Sequence, residues 1–453
     1  MAVMLMGTAE EVPDVPMEQV KFLEDLTPEE LGIISNAKIP SGLQNLGNTC
    51  YFNSVLQSFR ALPGLEKAIS AGQVNNAGSG EARLALSIGK VFGELSKAGG
   101  APLTPYSLVN QLYEVFPDFG EKKEGSMVPM QQDAEECFSR IVSIMDRQIA
   151  GGNNGRSLIA GLLGGEMAVE YKNVETEAED PSRTTENFFK LSCHIKKDTS
   201  HLLTGLTESL QEHVTKNSVV LGREAVYEKK QRIARLPKYL AVQLVRFYWK
   251  AGVGDKAGNR AKVVKPVDFP EKLDTFELCA PELQEKLKPR RKDVEEYEDE
   301  KLGLAKDSKG KEKEGEEKVG EETKGEEKGK KETGPEKGEA SGSRNPDLEN
   351  DTGRYELQAI ITHEGYSAEG GHYVAWTKDP ESKDNGWLLF DDDKVSRVKW
   401  ETVKALAKST GDAHIPYLLI YSTIEYDAPY RNSEENGKRE EGEKKDVEMA
   451  EAK

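Results

Sequence analysis

A chain of 453 residues has room for one large domain or two ordinary ones, yet only 36% of it is hydrophobic and 31% is charged. Averages of that kind describe a globular body diluted by solvated segments. The formal charge of −18 excludes nucleic-acid binding as the main task and suits a partner with a basic face.

Met1 to Gly7 is apolar but short, lacks a basic flank and runs into Glu10-Glu11, so it does not read as a signal peptide. No run reaches membrane-spanning length, which predicts a soluble intracellular protein with no membrane partner. The four cysteines stand at 50, 137, 193 and 279, and the nearest pair lies 56 residues apart (193 − 137). That spacing offers no structural zinc site and points to a reducing compartment. Residues 1–40 read as a lead segment with one short helix at Thr27–Asn36, behind the cap Thr27-Pro28-Glu29-Glu30.

The run Gly42-Leu43-Gln44-Asn45-Leu46-Gly47-Asn48-Thr49-Cys50-Tyr51-Phe52-Asn53-Ser54 places a thiol just after a polar turn. Phe52, Val55, Leu56, Phe59 and Leu62 follow at helical spacing, and Pro63 closes that helix. A cysteine in the first turn of a helix faces the positive end of the macrodipole, which favours the nucleophilic thiolate. Helical spacing continues through Arg83–Ser96, Thr104–Phe116 and Asp133–Ile149, the last opened by Asp133 and Glu136 in the pattern of a capping box. Cys137 falls on the apolar stripe of that helix and reads as core.

From about Glu170 the texture turns to β: Phe188–Ile195, Ser218–Leu221, Tyr239–Tyr248 and Val264–Phe269, then Tyr355–His363, His372–Thr377, Trp387–Phe390 and Tyr417–Ser422. Helices first and sheet later predict an α+β protein whose two parts pack on each other. Between about 288 and 350 the chain is mostly Lys, Glu and Gly, and it reads as a disordered insertion inside one domain. Residues 431–453 read as a disordered acidic tail, leaving 41–430 as the folded domain.

A catalytic thiol needs a base and a group that orients the base. Of six histidines, His194, His201 and His213 stand in polar stretches without catalytic context, and His414 leads into an apolar strand. His372 follows Gly370-Gly371 and opens a strand. A turn-rich segment, Asp379 to Gly386, separates that strand from Trp387-Leu388-Leu389-Phe390-Asp391-Asp392-Asp393. A hairpin about this turn sets residue 372 opposite 393 or a near neighbour. Residues 391 and 393 share a face and 392 points the other way, so pairing geometry leaves 391 and 393 open. Asn45 is placed to donate to a tetrahedral oxyanion, or equally to bond its own turn.

These residues resemble the ubiquitin-specific protease family. Gly42 to Ser54 is similar to its cysteine box, and Gly370 to Val374 with Phe390 to Asp393 is similar to its histidine box. Gln131 to Glu136, Leu236-Pro237, Arg246-Phe247, Phe269-Pro270, Tyr355 to Ala359 and Tyr417 to Tyr421 stand between or after them in family order. The resemblance implies a papain-like core with a helical thumb, a β palm and β-rich fingers at about 170–235. It implies a thiol-dependent deubiquitinase cutting isopeptide or peptide bonds at ubiquitin's C-terminal glycine. By position it makes Cys50 the nucleophile, His372 the general base, Asp391 the orienting carboxylate and Asn45 the oxyanion donor. Asp133 and Tyr373 fall on the contacts for ubiquitin's tail, and no cofactor or metal is implied.

Phrases such as Glu277 to Lys286 and Phe390 to Ser396 resemble the proteasome-associated subgroup. They imply ubiquitin conjugates and the proteasome regulatory particle as partners, in cytoplasm and nucleus. That subgroup's N-terminal ubiquitin-like domain is missing from this sequence, and Met1 to Glu11 reads as the end of the linker after it. The alternative from another class is a non-catalytic ubiquitin-binding regulator of the proteasome. In this subgroup, loops over the tail cleft restrain the free enzyme; by position they are Tyr248 to Val263 and Tyr366 to Gly371.

Overall fold

Apolar spacing in the first half gives α1 (Cys50–Arg60), α2 (Pro63–Ser70), α3 (Gly80–Lys97), α4 (Tyr106–Val115), α5 (Ala134–Gln148) and the short α6 (Leu158–Leu162) in a computed structural model of the chain. The structure describes residues 39–71, 74–76, 78–152, 156–250, 259–301, 348–365, 370–382 and 384–429. The helix expected at Thr27–Asn36 and the tail at 431–453 lie outside them, as do residues 251–258 and 366–369 of the two expected loops.

Helix α1 ends before Pro63, which is itself the first residue of α2, where its missing N–H is no loss. Every residue from Cys50 to Phe59 is buried, because α1 is wedged between α5 and the sheet. Phe59 meets Phe138 of α5 with ring centroids 5.2 Å apart, and Cys137 lies fully in that core. The capping box forms only in part. Asp133 Oδ1 accepts from the Glu135 N–H at 2.9 Å, while Glu136 turns to Arg140.

Next come β1 (Gly165–Asn173), β2 (Ser182–Phe188), β3 (Leu191–His194), α7 (Leu202–Ser209), β4 (Gln211–Ser218) and β5 (Arg223–Arg235). Strands β2-β1-β5-β4 form an antiparallel sheet at the position of the expected fingers. Its tip is tied without metal ligands: Glu179 accepts from Asn173 Nδ2, Ser218 Oγ and Tyr227 OH. Ser218–Leu221, read as strand, is instead the reversal at this tip. The ladder closes at Ser218 opposite Arg223, so Val219 and Val220 must turn despite their branching, and Val219 is 93% exposed.

The run Tyr239–Tyr248 breaks at Arg246 into β6 (Tyr239–Val245) and β7 (Phe247–Lys250), the latter paired with β8 (Asn259–Lys262). Arg246 is 1% exposed and donates to the carbonyls of Pro416, Val263 and Lys265. Burial pushes its guanidinium down to about 9. Arg246→Met should destabilise the fold by about 3 kcal/mol, because three carbonyls, that of Pro416 buried and those of Val263 and Lys265 partly so, lose their donor. Urea unfolding measures it, and an unchanged midpoint would contradict the clamp. Val264–Phe269 is not a strand: Pro266 and Pro270 remove donors, and its one bridge joins Asp268 to His201.

The charged insertion begins later than expected. Residues 288–301 continue α8 (Pro281–Lys301), which buries Leu283, Leu287, Arg290 and Val294 along one face. Arg290 donates to the carbonyls of Tyr426 and Pro429. Composition hid this stripe among its lysines and glutamates; residues 302–347 lie outside the described residues.

The large sheet adds β9 (Lys272–Asp274), β10 (Arg354–Glu364), β11 (His372–Lys378), β12 (Trp387–Asp391), β13 (Lys394–Val398) and β14 (Ile415–Thr423), with α9 (Trp400–Ala405) before the last. Its order is β13-β12-β11-β10-β14-β6-β3, with β9 on β10. Alternation assigns the two faces. Ala359, Ile361 and Tyr373 join the core under α1 and α5, while Ile360 and Val374 join the core on the opposite side, as does Leu357, because the β10–β14 register slips between Leu357 and Ala359. Helices laid on a mostly antiparallel sheet make the α+β fold that the sequence predicted. Among the described residues no helix is long and apolar enough to cross a membrane.

Candidate active site

Cys50 is the first residue of α1. The turn before it needs left-handed backbone at Gly47 (φ 101°) and Asn48 (φ 56°), and the N–H groups of Phe52 and Asn53 close on the Thr49 carbonyl. Cys50 is 2% exposed.

The hairpin β11–β12 pairs Ala375 with Phe390, a register that carried onward sets 372 against 393, as the turn-centred reading required. The imidazole nevertheless reaches Asp391, with His372 Nε2 2.6 Å from Asp391 Oδ1. His372 is pushed up to about 9, chiefly by its hydrogen bond with the Cys50 side chain; burial opposes this, and the bond to Asp391 adds to it.

Two segments far apart in sequence meet because Gly42 lets them. A Cβ there would sit 2.5 Å from the Asp392 carbonyl oxygen, the atom that accepts from the Leu43 N–H at 2.8 Å. Asp392 (φ 52°) turns into this seam, its Oδ2 staying 4.0 Å from His372 Nε2. Its Oδ1 accepts from Asn53 Nδ2 at 2.8 Å and its Oδ2 from Asn45 Nδ2 at 2.9 Å. Burial still raises its carboxyl above the usual range. Sequence reasoning missed Asp392 and Asn53 as site residues. Asn53 stands three residues after Cys50, hence on the same helix face, and that spacing was the available signal.

Asn45 bonds its own turn, one of the two roles the sequence left open for it. Its Oδ1 accepts from the N–H groups of Gly47 (2.9 Å) and Thr49 (3.2 Å). The amide orientation is thereby fixed, with one Nδ2 hydrogen directed to Asp392 Oδ2.

Asp133 and Tyr373 are both buried. Asp133 Oδ1 also accepts from Tyr417 OH at 2.7 Å, and Tyr373 lies against His363 with centroids 4.6 Å apart. Phe247 stands edge-on to His363 and Tyr417, at 5.3 and 5.2 Å. The two expected tail contacts thus belong to a packed aromatic group. His372, Asp391 and Asp392 also bring donor atoms within 4.8 Å of one another, close enough to hold a cation. Those same atoms are already engaged with each other and with Asn45 and Asn53.

Residues 41–421 match the family described as ubiquitin carboxyl-terminal hydrolase. The chain belongs to that family. It is similar to ubiquitin carboxyl-terminal hydrolase 6 of Arabidopsis thaliana, 35% identical over 92% of this chain and 84% of the relative. It is 36% identical to the protein of the same name from Schizosaccharomyces pombe, with the same coverage, and 33% identical to ubiquitin carboxyl-terminal hydrolase 14 of Caenorhabditis elegans over 93% and 80%. As a ubiquitin carboxyl-terminal hydrolase it is a cysteine-type deubiquitinase of the ubiquitin-specific protease class, with ubiquitin and its conjugates as partners.

Proposed function

We propose that Cys50 is the nucleophile of this hydrolase, His372 its general base and acid, Asp391 the carboxylate that orients His372, and Asn45 the oxyanion donor. Asp133 and Tyr373 would line the path of ubiquitin's tail once it is open. The observation that carries the reading is a single imidazole 2.6 Å from the Asp391 carboxylate and pushed up in pKa chiefly by the helix-start thiol of Cys50.

In this reading the thiol's proton rests on His372, and the Cys50 sulfur freed of it attacks the carbonyl carbon of ubiquitin's terminal glycine, the oxyanion meeting the second Nδ2 hydrogen of Asn45. His372, carrying its proton at neutral pH, gives it to the departing amine as the C–N bond breaks. Water, deprotonated by the now neutral imidazole, then cleaves the thioester and frees ubiquitin. The proton on His372 belongs to the resting form and is lost as pH rises through about 9. A pH profile of kcat/KM on ubiquitin–AMC should therefore fall on the alkaline side with an apparent pKa near that value. A flat alkaline limb would contradict the assignment.

The conjugates we assign to it are proteasome-bound ones, handled in cytoplasm and nucleus. Support comes from the subgroup phrases in the sequence and from the burial of Cys50, Asp133 and Tyr373, which suits an enzyme restrained until a partner opens its cleft. Ubiquitin–AMC turnover should rise when purified proteasome is added. Equal rates with and without it would sink the proteasome assignment. Silence under both conditions would favour the regulator that binds ubiquitin without cutting.

A further inference from the structure

Lys262 ends β8, outside the set of residues that touch the thiol. Its Nζ donates to two carbonyls at the far end of β10, Gly365 O at 2.6 Å and His363 O at 3.1 Å. These two oxygens flank Glu364, and Glu364 is the ladder partner of His372. The ammonium therefore grips the strand end on which His372 is registered.

The same strand end is pressed from the other side by the chain that returns to His372. Gly371 has φ 130°, and a Cβ there would lie 2.2 Å from the Glu364 carbonyl oxygen and 2.6 Å from His363 Nε2. The backbone just before His372 has no slack against β10, so a shift of residues 363–365 is passed to the imidazole. Lys262 in turn is anchored: it pairs with Phe247 in the β7–β8 ladder, and the Val263 N–H bonds the Arg246 carbonyl. The Phe247 ring stands against His363, so the grip and its anchor close on the same residue.

Arg246 and Glu364 are the charged groups that face Lys262, and burial pushes its ammonium down to about 8. A half-buried cation beside an arginine is unfavourable unless its donors are used. Here they bond two backbone carbonyls whose position the candidate site depends on.

We propose that Lys262 is a positioning residue for His372, acting through the end of β10. The proposal rests on the assignment of Cys50 and His372 made above. Lys262→Met keeps the length and apolar stem but removes the donors; Lys262→Arg keeps donors and charge. Each is compared with the wild-type chain for kcat and KM on ubiquitin–AMC across pH, for alkylation of Cys50 by iodoacetamide, and for melting temperature.

Lys262→Met should lower kcat about tenfold with KM nearly unchanged, as a small misplacement of a catalytic group does. Its alkaline limb should move to lower pH, and alkylation should slow, because His372 sits less firmly against the thiol. Lys262→Arg should recover most of the loss. Wild-type kcat and pH profile in Lys262→Met would overturn the proposal. So would a loss accounted for by unfolding alone, or a rise in kcat, which would make Lys262 a restraint on access. Wild-type turnover and alkylation in the same series check the Cys50 assignment separately, since iodoacetamide needs no ubiquitin.

Discussion

Cys50→Ala should lower ubiquitin–AMC hydrolysis by at least about 10⁴-fold, and His372→Ala should do nearly as much. The two side chains act as one unit: His372 is held near 9 chiefly by Cys50, so removing either abolishes the bonded pair. Their effects should not add, and the double variant should be no worse than the poorer single one. Cys50 packs in the core beneath the sheet, but an alanine there removes one sulfur and leaves the helix start intact. Ubiquitin binding, read by calorimetry, should survive in Cys50→Ala. Turnover within about a hundredfold of wild type would contradict the role of the thiol, since the remaining groups supply only binding and oxyanion stabilisation.

Asp391→Ala and Asp392→Ala should both cripple the enzyme, with different signatures. The Asp391 side chain is 45% exposed and bonds the imidazole alone, so its loss should cost about 10³–10⁴-fold in kcat while the melting temperature stays put. The Asp392 side chain is only 9% exposed and accepts from Asn45 and Asn53. Removing it leaves two amide donors without their acceptor and loosens the seam between the Cys50 turn and the histidine hairpin. The expected result is about 10²-fold in kcat through a misdirected Asn45, together with about 2 kcal/mol of stability. Turnover on ubiquitin–AMC and urea unfolding separate the two. A destabilised Asp391→Ala beside a fully stable Asp392→Ala would reverse the account.

Most of the architecture could be read from periodicity. Apolar residues at helical spacing placed α1, α3, α4 and α5 within three residues, and apolar and β-branched runs placed β10, β11, β12 and β14 within two. The misses have physical causes. Val219 and Val220 look like strand, but a four-residue reversal must lie between two long paired strands, whatever its propensity. In Val264–Phe269 one proline inside the run, Pro266, and another just after it, Pro270, outweigh the branched residues. Helix α8 was lost in composition because its buried face is spaced through charge, and an arginine fills one of its core positions.

The site was legible for a different reason. A hairpin fixes its own register, so His372 could be placed among three aspartates from one turn, and the family resemblance chose Asp391 among them. The seam was not legible by that route. Asp392 meets Asn45 and Asn53 across more than three hundred residues, and no local spacing encodes such a contact. Nor did the sequence say that Asp133 and Tyr373 would be closed inside an aromatic group.

The central claim is that Cys50 is the atom that meets ubiquitin's C-terminus. Ubiquitin bearing a C-terminal electrophile, incubated with the chain in the presence of proteasome and followed by peptide mass spectrometry, tests it directly. The account predicts one ubiquitin per chain, attached at Cys50, with none on Cys50→Ala. Adduct at Cys137, Cys193 or Cys279, or none on the wild-type chain, would contradict it.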